Sequence, residues 1–553
     1  MSNRVRRPAR LQWALTLSVV VTVTTLGVFG GSGVFPVRGE AQETPQQARN
    51  VILLIGDGMG DSEITIARNY ELGAAGTFAM DTLPNTGAYT TYSVLEDDPE
   101  TPDYVPDSAP TATAWATGQK TSNGRISTTP GTDEDIPTIL ELAQEAGKRT
   151  GNVTTSEVTD ATPAALMSHV SKRGCKGPEQ TAEDCPEDSK AQGGPGSIAE
   201  QGVDHGVDVI LGGARGNFEQ TIDGGPDEGS TVIESAERQG YEVVETAQEM
   251  EAPGPGQPLL GLFADENMDL IYSGEPAEAQ HDFTAQTCEE DQLPEDQPDL
   301  ASMTTKALEL LDNPEGFFLQ VESASIDKQD HVSNPCEQIG ETVNLDNAVR
   351  VALDYAEENP DTLVVVTGDH GHTSQIVPTQ GVSGYHKEGY EYSIPGEAGT
   401  VNTADGSQMT ISYGTNTYRD EKGEVVEGED SEDTHTHTGT QIRIAGQGPL
   451  SERVLGVTDQ TDLFVTMSRA MGLEGAPASA GKVKDKAKAS SDATSDEENE
   501  TANTALKTFS DNASVMFVGI GLLRGAGFRR WPQAREGEVG ASFSVLRERE
   551  RRE

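Results

Sequence analysis

Phe317–His331 reads FFLQVESASIDKQDH, and the reading of that stretch decides the fold of the chain. Its opening run, Phe317-Phe318-Leu319-Gln320-Val321, predicts a buried strand. Glu322, Asp327, Lys328 and His331 then follow within ten residues. Carboxylates and an imidazole at the carboxyl end of a buried strand are the donors that a cluster of hard and borderline cations requires. Asp327 and His331 are four apart, so a helical turn after the strand would put them on one face. Taken alone, the stretch reads equally well as a polar loop after a strand.

Further apolar runs surround it. Asn50–Ile55 leads into Gly56-Asp57-Gly58-Met59-Gly60, and Thr362–Thr367 leads into Gly368-Asp369-His370. Thr150–Thr155 and Val207–Gly212 predict two more strands, while Ile136–Ala146, Met303–Leu311 and Leu345–Glu357 predict helices. This alternation predicts an α/β fold with a mostly parallel sheet covered on both faces. Pro178–Pro195, Pro253–Pro258 and Gly274–Pro294 read as loops. Gly56-x-Gly58 is no dinucleotide fingerprint, because Asp61 stands where the third glycine belongs. Asp57 reads better as a metal ligand at the carboxyl edge of a strand, where open α/β sheets place their sites.

Length allows one large core with appendages: 553 residues, with Lys+Arg 39 against Asp+Glu 92 for a net charge of −53. Such a field disfavours nucleic acid and anionic membranes as partners. It also repels anionic substrates, so a phosphate site must make its own positive potential from metals and a few cations. The acid excess predicts a chain that stays soluble in high salt, where self-repulsion is screened. Arg4, Arg6, Arg7 and Arg10 precede an uncharged stretch from Leu11 to Val37, which predicts an export signal over residues 1–41. Left uncleaved, the same segment is long enough to anchor the chain in a membrane. Residues 42–49 read as a polar linker, 474–513 as a low-complexity linker, and 514–553 as an Arg-rich tail without an assigned role. Cys175, Cys185, Cys288 and Cys336 form an even set in an exported chain, which predicts two disulfides. Three pairings exist; Cys175–Cys185 and Cys288–Cys336 are the local choices. No Cys-x-x-Cys spacing supports zinc.

Asp57, the Glu322/Asp327/His331 group, Asp369-His370 and His437 together supply histidines and carboxylates suited to two Zn²⁺ and one Mg²⁺. Two metals about 4 Å apart can clamp the attacking and leaving oxygens of a phosphoryl transfer. The candidate nucleophile is Ser108, within Pro102–Trp115, PDYVPDSAPTATAW. Pro110 suits the first turn of a helix, which puts Ser108 at an N-terminus whose dipole favours an alkoxide. That segment by itself favours the plainer reading of Ser108 as an N-cap.

Six segments in order, VILLIGDGMGDSEIT, PDYVPDSAPTATAWATG, DATPAALMSHVSKRGC, FFLQVESASIDKQDH, TGDHGHTSQ and HTGTQIRIAGQGP, resemble the bacterial alkaline phosphatase family across Asn50–Leu473. The resemblance implies a three-layer αβα sandwich with a large, mostly parallel central sheet, a crown-like insertion at residues 375–434, a homodimer, and a periplasmic or extracellular enzyme. It implies that Ser108 becomes phosphoserine, and that Asp327, His331 and His437 hold one zinc while Asp57, Asp369 and His370 hold the other. Mg²⁺ would take Asp57, Thr162 and Glu322, with Asp160 acting through water. Arg173 would fork onto the phosphate, oriented by Asp107, and Lys328 would reach it through water. Asp160 together with Lys328 implies Mg²⁺ as the third metal. His169, His372 and His386 carry no family role and read as surface or supporting histidines. Thr438-Gly439 selects His437 over His435 as the ligand. Pro110 departs from the small residue common there.

Phosphate monoesters are the implied substrates. A phosphodiesterase of the same superfamily and a non-catalytic exported metal- or phosphate-binding protein are the rival readings. Arg173, Lys328 and a serine nucleophile favour a monoester dianion, and binding alone needs no nucleophile.

Overall fold

In a computed structural model of the chain, the described residues are 47–278, 283–291, 293–294, 296–379, 396–414 and 436–473. Residues 1–46, which include the segment read from sequence as a signal or anchor, and everything after Leu473 lie outside them.

Ten strands form the central sheet: β1 (Asn50–Gly56), β2 (Asn85–Thr90), β3 (Arg149–Glu157), β4 (Val209–Gly213), β5 (Glu242–Val244), β6 (Leu259–Leu262), β7 (Phe317–Ser323), β8 (Thr362–Gly368), β9 (Ile442–Gln447) and β10 (Gly456–Asp459). Their order is β10-β2-β9-β8-β1-β7-β3-β4-β6-β5. Every neighbouring pair is parallel except those made by β9, which runs antiparallel to β8 and β2.

β1 is fully buried, and its alternation divides the molecule into layers. Val51, Leu53 and Ile55 join one apolar core with Trp115, Ile139, Leu166 and Phe464. Ile52 and Leu54 join a second core with Ile64, Leu308, Ile339 and Val349. Burial on both faces is what a parallel strand of continuous apolar sequence requires, so helices cover both sides of the sheet.

Several expectations shift in detail. The last predicted helix runs the full Pro335–Glu358, begun by Pro335 at its first turn and capped by Asn334. The Ile136–Ala146 prediction contracts to Ile139–Glu145, with Thr138 and Glu141 forming a capping box. Pro178–Pro195 is not all loop, since Pro178–Asp184 is a short helix with proline at its start. Gly274–Pro294 likewise contains the two-residue strands Ala285–Gln286 and Glu289–Glu290. Within 375–434, Glu397–Asn402 and Gln408–Tyr413 pair with each other and, through Ser374–Val377 and Ala285–Gln286, make a separate four-stranded sheet. The disulfides take the local pairings, with Cα–Cα separations of 6.2 Å for Cys175–Cys185 and 5.2 Å for Cys288–Cys336.

Candidate active site

The carboxyl ends of β1, β7, β8 and β3 converge, as an open parallel sheet dictates. β1 delivers Asp57, β7 carries Glu322, β8 runs into Asp369-His370, and Asp160 caps the helix Ala161–Met167 that follows β3. The helix Ser325–His331 starts two residues after β7, so Asp327 and His331 do share one face: His331 Nε2 lies 3.3 Å from Asp327 Oδ2.

Asp107, not Ser108, is the N-cap of the helix Ser108–Thr117, its side chain accepting from Ala109 N at 2.8 Å. This overturns the plainer reading of Ser108, which is the first helical residue and has its hydroxyl free for other work. The hydroxyl is buried at 2% exposure, 3.3 Å from Asp57 Oδ1 and 3.2 Å from His370 Nε2.

Among the described residues, two groups of ligand atoms share Asp327, each with all members within 4.8 Å of one another: Asp327, His331, His372 and His437, and Asp57, Asp327 and His370. His437 Nε2 is 3.3 Å from Asp327 Oδ1, and its Nδ1 is held 3.0 Å from Pro106 O. Asp369, expected beside Asp57, approaches His370 Nε2 at 3.2 Å. Its carboxylate accepts from Gly58 N at 2.8 Å, His370 N at 2.7 Å and Thr111 Oγ1 at 3.1 Å. Burial and the neighbouring acids Asp369, Asp327 and Glu322 push the Asp57 carboxyl well up. Burial also pushes Asp369 up, with Asp327 adding to it. At Asp327 burial works the same way, but His331 and His437 pull the carboxyl well below the usual range. Burial holds His370 and His372 well below the usual imidazole range, so both are neutral and available as ligands. Crowded buried carboxylates with neutral imidazoles are a donor set that a divalent cation fits: it would remove the acid–acid repulsion and take the imidazole lone pairs.

Glu322 is buried and pushed up to about 7, mainly by burial, with Asp160 adding to it. Thr154 Oγ1 donates to it and Thr162 stands beside it. The cationic side of the site pivots on Asp160. Its Oδ1 accepts from Arg173 Nη2 at 2.9 Å and its Oδ2 from Lys328 Nζ at 2.8 Å. Burial works against both cations, yet Asp160 raises both further above their usual ranges. Arg173 stands farther from Asp107, Nη1 to Oδ1 being 4.0 Å.

Every site residue named from the sequence falls in this region except the cysteines. Cys175 lies just beyond Arg173, and Cys336 is the second residue of the long helix Pro335–Glu358. Sequence reasoning undervalued His372, whose Nε2 lies 3.1 Å from Asp327 Oδ1. It missed Thr111 and also Gln460, whose Nε2 donates to Asp369 O at 2.8 Å. Spacing in Gly-Asp-His-Gly-His was a usable signal for His372; nothing local marks Gln460. His386 and His435 lie outside the described residues.

Fold and site together define a class: an α/β hydrolytic enzyme with a serine at a helix N-terminus among metal-competent Asp/His clusters. The chain belongs to the alkaline phosphatase family, whose family model, described as alkaline phosphatase, matches residues 48–473. It is 49% identical over 439 residues to alkaline phosphatase of Escherichia coli (strain K12), covering 77% of this chain and 87% of that protein. It is 49% identical over 439 residues to alkaline phosphatase H of Pseudomonas aeruginosa, covering 77% and 86%. Streptomycin-6-phosphate phosphatase of Streptomyces griseus is 48% identical, covering 78% of this chain and 92% of that protein. The structure of alkaline phosphatase from the Antarctic bacterium TAB5 shares the fold with a TM-score of 0.55 at 23% identity, covering 78% and 99%. That of Thermus thermophilus does so at 0.54 and 23%, covering 80% and 96%. The chain is a phosphomonoesterase, a hydrolase acting on phosphate monoesters.

Proposed function

We propose that hydrolysis proceeds through a covalent phosphoserine on Ser108. The observation that carries this is the position of its hydroxyl: first residue of a helix, buried, and within 3.3 Å of both Asp57 and His370. A helix N-terminus favours the developing alkoxide, and Asp57 and His370 orient the hydroxyl.

The metal assignment is two Zn²⁺ and one Mg²⁺ per subunit. Asp327, His331 and His437 hold the first zinc, and Asp57, Asp369 and His370 the second. Asp57, Thr162 and Glu322 hold Mg²⁺, with Asp160 beside it. When bound, the metals supply Lewis-acid stabilisation of the attacking and leaving oxygens. Arg173 binds two phosphate oxygens as a planar fork, and Asp107 and Asp160 hold the guanidinium in register. Lys328 adds a point charge from the Asp160 side. These cations create the local positive potential that a chain of net charge −53 otherwise denies a dianion.

Export to an oxidising compartment accords with both disulfides, and the N-terminal segment serves as its signal or, uncleaved, as an anchor. The working form is a homodimer, with residues 375–434 as the crown-like insertion on the 50–473 catalytic domain.

The test is brief incubation with ³²P-labelled monoester at mildly acidic pH followed by denaturation. Label retained on wild type and lost in Ser108→Ala supports the covalent route; equal label on both removes Ser108 from it.

A further inference from the structure

Arg173 ends a short arm, Ser168–Arg173, that leaves the helix carrying Thr162. The arm lies beside Gly124–Ser127 at three points. Arg173 N donates to Gly124 O at 2.6 Å, Val170 pairs with Ile126 in an antiparallel bridge, and His169 Nδ1 sits 2.9 Å from Ser127 O. The other ring nitrogen of His169 lies 3.2 Å from Glu141 Oε1, on the helix Ile139–Glu145 across the gap.

A carbonyl and a carboxylate only accept hydrogen bonds, so each ring nitrogen must donate and His169 is an imidazolium. At 6% exposure such a cation persists only with its carboxylate partner. Burial lowers the His169 imidazole, yet Glu141, helped by the Ser127 carbonyl and Asp135, offsets this and the group is held above its usual range. The nearby His205, its Nε2 4.0 Å from the same Glu141 oxygen, is pushed down by burial and leaves the carboxylate to His169. The main chain is fastened as well: His169 N donates to Gln201 Oε1 at 2.9 Å, and Gln201 Nε2 donates to His169 O at 3.0 Å.

This much fixation falls on a residue with no contact to the reacting groups. Arg173, by contrast, is a long side chain 34% exposed, with carboxylates at 2.9 Å and 4.0 Å as its ion-pair partners. Its placement therefore depends on where the arm holds its backbone. We propose that His169 is a positioning residue for Arg173, its ion pair with Glu141 fixing the arm from which the guanidinium reaches phosphate. The inference rests on the reading of Arg173 as the phosphate clamp.

The experiment is a double-mutant cycle on the zinc- and magnesium-loaded enzyme. It measures the inhibition constant of inorganic phosphate, and KM and kcat for p-nitrophenyl phosphate, in wild type, His169→Ala, Arg173→Ser and the double variant. His169→Ala is expected to raise the phosphate inhibition constant and KM about tenfold while kcat stays within about twofold, because small misplacements of a clamp weaken binding. The same substitution in the Arg173→Ser background is expected to change neither constant further. Glu141→Gln keeps the capping box but removes the charge, so it should reproduce the His169→Ala effect and carries the cycle if His169→Ala does not fold. Equal losses in both backgrounds, or an unchanged inhibition constant where Arg173→Ser raises it, overturns the proposal. If Arg173→Ser itself leaves phosphate binding intact, the clamp reading fails first and the inference falls with it.

Discussion

At the scale of single residues, the site is a contest between buried charges. Asp160 takes two cations at once, Arg173 at 2.9 Å and Lys328 at 2.8 Å. A point charge cannot replace a planar fork bridging one carboxylate and a phosphate, so Arg173→Lys should raise KM for p-nitrophenyl phosphate about tenfold, with kcat changed less. A steady-state comparison checks this, and an unchanged KM would deny Arg173 its forked contact. The ligand-type residues were legible in the sequence because each follows an apolar run closely: Asp57 after β1, Glu322 at the end of β7, Asp369-His370 after β8. What was not legible is support from a distance. Gln460 reaches the Asp369 carbonyl from the start of the helix Thr461–Met471, and no spacing rule joins two residues so far apart. His372 was half visible; only the folded chain puts it 3.1 Å from Asp327 and not on the surface.

At the scale of elements, the helix Ser108–Thr117 sets the geometry of the nucleophile. Asp107 caps its start, and Gly118 ends it in the left-handed region at φ 73°. A Cβ on Gly118 would stand 2.7 Å from the Phe464 ring, so Gly118→Ala combines backbone strain with a clash. The variant should lose at least about 1 kcal/mol in urea unfolding. A midpoint indistinguishable from wild type would mean that this helix end tolerates rearrangement. The sheet strands β1, β3, β4, β7 and β8 were readable from apolar runs, whereas β2, β5, β6, β9 and β10 were not, although β6 is fully buried. Short elements were not: the helix Pro178–Asp184 carried a real start signal in Gly177-Pro178, but its polar sequence offers no periodic apolar face. The two-residue strands exist only through their partners, so tertiary pairing decides them.

At the scale of the whole molecule, charge and burial set the response to pH and salt. Glu341, on the long helix Pro335–Glu358, is 1% exposed and pushed up to about 7 by burial. Its folded pKa lies above the unfolded value of about 4.3. Folding therefore carries no penalty from this group below about pH 4, a growing one between about pH 4 and 7, and the full penalty above about pH 7. Glu341→Gln should accordingly stabilise the protein at pH 9 by on the order of 1–3 kcal/mol and change little near pH 4. Thermal melts at the two pH values read this directly, and a variant less stable at pH 9 would reverse the sign. The net charge of −53 also predicts a melting temperature that climbs with NaCl, since screening at 1 M falls to about 3 Å. A melting temperature flat from low to molar salt would remove the inference of salt adaptation. Two-sided burial of the sheet was foreseeable from continuous apolar strands. The antiparallel insertion of β9 between β8 and β2 was not, because neither β9 nor β2 has the continuous apolar run that marked the other strands.

The most direct test of the covalent account is p-nitrophenyl phosphate turnover by Ser108→Ala beside wild type, both loaded with zinc and magnesium and assayed with and without chelator. The account predicts a loss of at least about 10³-fold in kcat for the variant, since removing a nucleophile removes its pathway, and chelation abolishing the wild-type rate. A variant that keeps the wild-type rate, still sensitive to chelator, would mean that water attacks phosphorus directly and that Ser108 is not the nucleophile.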